Sequence, residues 1–83
     1  MKTYTISTTK HDITGKQIDN YPGYDLAADN VNIALLQAVN HAKYLLSLDR
    51  NIIPCTIETM YNKIFYTDVS GNEFYIVMHA YIM

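Results

Sequence analysis

The chain has 83 residues, 49% apolar and 17% charged, with a formal net charge of −2. That length holds one domain with one core, and no charge run or low-complexity tract marks disorder. Six basic residues scattered from Lys2 to Lys63 argue against nucleic acid as the direct partner, because phosphate affinity depends on clustered cations.

Residues Lys2 to Thr9 alternate, with Tyr4 and Ile6 on one side and Thr3, Thr5 and Ser7 on the other. The pattern predicts a strand with one wet face. Thr14-Gly15 punctuates the chain, and Tyr21-Pro22-Gly23-Tyr24 reads as a turn, since Pro presets φ and Gly tolerates positive φ. Lys16 to Asn20, between them, fits either a second strand or an ordered loop.

A long helix is predicted over residues 29–49, capped by Asp29 or Asn30. Val31, Leu35, Ala38, Val39, Ala42, Leu45 and Leu46 form its apolar stripe, and Pro54 cannot continue it. Ile33, Tyr44 and Leu48 fall on the opposite side, flanking a polar centre of Gln37, Asn40, His41 and Lys43. Either neighbouring chain covers these three, or they form a partner-binding or dimer-forming face.

Cys55 to Tyr61 and Lys63 to Val69 are strand-like, as one bent strand or as two joined at Asn62. Asp68-Val69-Ser70-Gly71-Asn72 reads as a hairpin turn. The last strand alternates Phe74, Ile76, Met78, Ala80 and Ile82 with Glu73, Tyr75, Val77, His79 and Tyr81. The first set should face the helix and the second the outer side. The expected fold is therefore α+β, one helix on an antiparallel sheet of three to five strands, in the order β-(β)-α-β-β-β with a C-terminal hairpin.

The chemistry-bearing residues do not assemble into a motif. Cys55 is the only cysteine, so it forms no internal disulfide, and beside Pro54 it reads as a small core hydrophobe. His11, His41 and His79 fall on three elements without metal-ligand spacing, and three isolated glycines make no phosphate loop. No catalytic, cofactor or metal residue is expected. MKTYTIST lacks the apolar region of a signal peptide and no run reaches membrane-span length, so a cytoplasmic protein without membrane association is expected.

The eight tyrosines, with no tryptophan, are the informative excess. Tyrosine presents a large rigid surface with a hydroxyl, which suits contact anchors, although it is also a good strand residue. Tyr66, Tyr75 and Tyr81 beside His79 are expected on the outer sheet face. Asp25 and Asp29 belong to a stretch, Gln17 to Ala42, that has acids and no Lys or Arg. They read as a solvated loop and helix start or as an acidic patch for a basic partner.

The element order resembles that of small phage anti-CRISPR proteins, above all those acting on type I surveillance complexes. The likeness rests on a Lys-led first strand, an Ala-containing helix, a strand carrying Ile57-Glu58-Thr59, and a Gly71-centred hairpin. It covers most of the chain as a pattern. It implies a non-enzymatic inhibitor that occupies a Cas complex subunit and blocks DNA binding or nuclease recruitment in the host cytoplasm. The alternative reading is a small homodimeric structural or regulatory module.

Overall fold

In a computed structural model describing residues 1–83, the two clearest alternating stretches of the sequence lie side by side. Strand β1 (Lys2–Asp12) pairs antiparallel with β5 (Glu73–Ile82), from Tyr4 opposite Ile82 to Asp12 opposite Phe74. β2 (Gln17–Ala28) returns along the other side of β1. β4 (Lys63–Thr67) flanks β5, and β3 (Glu58–Met60) is the far edge. The order is β2-β1-β5-β4-β3, antiparallel throughout. Helix α1 (Val31–Leu48) leaves one sheet edge and delivers the chain to the other, so it crosses a single face. This is the α+β fold expected, with five strands.

The helix starts where a short polar side chain can replace its missing hydrogen bonds. Asn30 is extended, and its side-chain oxygen accepts from the Ile33 amide at 3.0 Å. Ala34, Leu35, Ala38 and Val39 are buried, and the alanines let the helix lie close to the sheet. Ile6, Ile64 and Met78 answer from the strands and are the largest fully buried side chains. Burying each contributes about 1.5–3 kcal/mol relative to exposure. Val31 and Leu45, expected in the stripe, lie at its margins and are exposed.

Several local expectations are corrected. Tyr21-Pro22-Gly23-Tyr24 is not a turn but lies inside β2, and so do residues 17–20. Opposite it, β1 spans two residues from Ile6 to Thr8 while β2 spans three from Tyr24 to Tyr21. That extra residue is a β-bulge, and an edge strand tolerates the proline because its missing N–H leaves no ladder bond broken. A Cβ on Gly23 would stand 3.2 Å from the Ile6 carbonyl oxygen, so glycine permits this close approach.

Cys55 to Tyr61 is not a continuous strand either. Pro54–Thr56 is a 3₁₀ turn, and only Glu58–Met60 pairs with β4. The Thr56 hydroxyl donates to the Ile53 carbonyl at 2.6 Å and accepts from the Thr67 amide at 2.9 Å, which ties this turn to β4. Cys55 is exposed, not a core residue, because the turn points it outward.

Two hairpins share one turn chemistry, Asp12-Ile13-Thr14-Gly15-Lys16 and Asp68-Val69-Ser70-Gly71-Asn72. In each, the aspartate amide donates to the fifth residue's carbonyl, and its carboxylate accepts from the third and fifth amides. The glycine has φ of +97° at Gly15 and +87° at Gly71. Hydrogen bonds from Thr14 hold the Asp12 carboxyl below its ordinary pKa, ahead of those from the backbone.

Between β3 and β4 the two-residue turn is Tyr61-Asn62, and Tyr61 adopts φ of +53° while staying 73% exposed. A left-handed backbone costs a tyrosine about 1 kcal/mol that glycine or asparagine largely avoids. The two turns therefore respond oppositely. Gly71→Ala should lower unfolding free energy by about 1 kcal/mol, and Tyr61→Asn should raise it by about 0.5–1 kcal/mol. Urea denaturation of each variant measures both; a neutral Gly71→Ala would contradict the strain argument.

Candidate protein-binding surface

Because α1 covers one side of the sheet, every second strand residue faces outward with no layer above it. The registers put Phe65, Tyr75 and His11 abreast on β4, β5 and β1. Their rings form a continuous row, with centroids 5.3 Å apart for Phe65–Tyr75 and 5.0 Å apart for Tyr75–His11. The second pair is nearly parallel, at 6°. Lys63 Nζ lies 5.8 Å from the Tyr75 centroid, at the outer range of a cation–π contact.

His11 is fixed from both sides of its ring. Nδ1 lies 3.2 Å from the Gly15 carbonyl oxygen and Nε2 lies 2.9 Å from the Thr9 hydroxyl. A carbonyl only accepts, so Nδ1 carries a proton and donates to Gly15, while Nε2 pairs with the Thr9 hydroxyl, which can serve as donor or acceptor. Ring orientation, and with it the stack on Tyr75, follows from these two bonds.

Further along β5, His79 and Tyr81 continue the same face, with ring centroids 6.2 Å apart. Tyr81 is 58% exposed. Opposite Tyr81, Thr5 donates to the Asp25 carboxylate at 3.1 Å, which brings Asp25 of β2 to the rim of this surface. Tyr75, His79, Tyr81 and Asp25 thus share one face. Asp29 is exposed in the turn before α1 and does not join them.

Tyr66 is the corrected member of the expected set. It pairs with Phe74 and lies on the helix-covered face beside Ile64 and Ile76, only 4% exposed. The outward aromatic of β4 is its neighbour Phe65. Lys63 to Thr67 reads polar-apolar-apolar-apolar-polar, so the alternation that would assign faces is missing. Phe65 and His11 are the functional candidates that sequence reasoning passed over; only cross-strand register aligns them with Tyr75.

Ile33, Tyr44 and Leu48 do lie on the solvent side of α1, and Leu36 joins them at 60% exposure. This second apolar surface faces away from the sheet, on the opposite side of the molecule from the aromatic row. No group of three or more His, Cys, Asp or Glu side chains converges as a metal site would require. No helix is long and apolar enough to cross a membrane. No known protein-family model, curated protein or solved structure matches this chain.

Burial pushes the Tyr66 phenol far above its ordinary pKa, with further contributions from Tyr21, Asp49 and Asp68. A raised folded-state pKa means that the neutral phenol stabilises the fold fully below the unfolded value, about pH 10. The contribution is lost as pH rises from there toward the folded value. Urea denaturation at pH 9 to 11.5 should therefore show a shallower alkaline loss of stability in Tyr66→Phe than in the wild type. Equal slopes would mean that Tyr66 ionises freely in the folded protein.

Proposed function

We propose that this protein is a non-enzymatic binding module that engages a partner protein through the uncovered face of its sheet. The observation that carries the reading is the Phe65–Tyr75–His11 row, continued by His79 and Tyr81. Rigid aromatic side chains at the centre of a surface, tyrosine above all in this row, are among those that dominate protein interfaces. Strands about 4.8 Å apart and 3.4 Å long per residue give this face an area on the order of 600 Å². That approaches the roughly 800 Å² per partner of a standard interface. The face carries Lys63 among the acids Glu58, Glu73 and Asp25, a charge balance that favours protein over a phosphate backbone.

The resemblance to phage anti-CRISPR proteins makes a type I Cas surveillance complex the first partner to test. Inhibition would follow from occupying a surface needed for target DNA or for nuclease recruitment. In a pull-down with purified type I complexes, the wild type should be retained. Tyr81→Ala and Tyr75→Ala should each weaken binding on the order of 30-fold, a hot-spot loss of about 2 kcal/mol. Tyr44→Ala, on the far side, should bind as the wild type does. No retention by any type I complex would remove the anti-CRISPR reading.

The homodimer reading draws on Leu36, which extends the exposed apolar side chains Ile33, Tyr44 and Leu48 along α1. It predicts a dimer in size-exclusion chromatography with light scattering at low micromolar concentration, dispersed by Leu36→Asp. A strict monomer would exclude it.

A further inference from the structure

The bulge in β2 has a chemical consequence on the covered side of the sheet. Residues three apart on a regular strand point to opposite faces. With one extra residue between them, Tyr21 and Tyr24 instead pair with Thr8 and Ile6 and stand on the same, inward side. They wall a cavity of about 350 Å³ between sheet and helix, floored by Thr8 and Met78 and roofed by Ala42. That volume lies at the lower end of small-molecule sites and far exceeds the roughly 30 Å³ share of one water.

Thr8 is the one buried polar residue, at 8% exposure, and its hydroxyl takes part in none of the side-chain hydrogen bonds of the chain, those of the neighbouring Thr5 and Thr9 included. No enclosed side-chain oxygen lacks a partner, so this hydroxyl is reached from the cavity. With no partner in the chain, this hydroxyl is free to donate to or accept from a molecule that occupies the space. Tyr21 and Tyr24 are phenols, neutral at physiological pH, and burial raises the pKa of both further. Asp49 and His41 line the same space, the His41 ring edge-on to Tyr24 with centroids 6.4 Å apart, so groups of opposite sign flank it and neither an anion nor a cation is singled out.

We propose that this cavity is a binding site for a small neutral aromatic molecule bearing one hydroxyl or amide group. Its ring would pack between Tyr21, Tyr24 and the α1 roof, and its polar group would meet the Thr8 hydroxyl. The site lies across the sheet from the aromatic row and is independent of the proposed partner face.

Protein-observed NMR with phenol and with toluene as probes tests this. Phenol should give saturable shifts at the amides of Thr8, Tyr21 and Ala42, with a Kd on the order of 1 mM for so small a ligand. Toluene should bind about fivefold more weakly, since it lacks the hydrogen bond to Thr8. Thr8→Val keeps the branched shape and should erase that preference, whereas Ala42→Leu should fill the space and abolish binding of both probes. The proposal is overturned by phenol giving no saturable shift up to about 5 mM, by shifts confined to the outer sheet face, or by a preference persisting in Thr8→Val. If a variant fails to fold, equal binding of phenol and toluene by the wild type overturns it on its own.

Discussion

The antiparallel ladder between β1 and β5 joins segments from opposite ends of the described chain, and most other features are placed by it. Nine residue pairs, from Tyr4–Ile82 to Asp12–Phe74, set which side chains share a face. Their alternation puts Tyr4, Ile6 and Thr8 with Ile76, Met78 and Ala80 under the helix. The same registration puts His11 beside Tyr75 on the other side. A slip of one residue would exchange the two sets and place His79 and Tyr81 against Val39. Core and contact surface are thus two readings of one hydrogen-bond register.

One helix can cover only one side of a sheet. α1 is committed to the inner face because it must carry the chain from β2 at one edge to β3 at the other. The outer face is left to protect itself, which it does by packing aromatic rings against one another across strands. Phe65, Tyr75 and His11 are each half-buried by their neighbours, whereas His79 and Tyr81 project beyond them. The molecule measures 42 × 23 × 20 Å, and its long axis matches a twelve-residue strand.

The helix and the strands β1 and β5 were legible because their apolar periods are unambiguous and their ends carry a cap or a turn. β2 was not legible, because Pro22 and Gly23 signal a turn to any local reading. Only the partner strand beside them makes the same two residues a bulge. β4 failed for a different reason. Ile64-Phe65-Tyr66 offers three apolar side chains in succession, so the face of Tyr66 is set by its pairing with Phe74 and by no property of its own segment. Of the expected surface residues, Tyr75, His79, Tyr81 and Asp25 do gather on one face, while the row that organises them needed Phe65 and His11.

The position of β1 also bears on how this protein is made. β1 and β2 are synthesised before β5 and can close their hairpin at once through the Asp12 turn. The other edge of β1 has no partner until residues 73–82 emerge. During that interval the nascent chain presents an open edge along Thr3 to Lys10 together with the apolar side chains of Tyr4 and Ile6. Edges of this kind invite pairing with other chains. The alternation of Thr and Ser with those two residues, ending in Lys10, keeps the waiting strand soluble on one face. Premature truncation after α1 would leave a hairpin and a helix without the strand that locks them together.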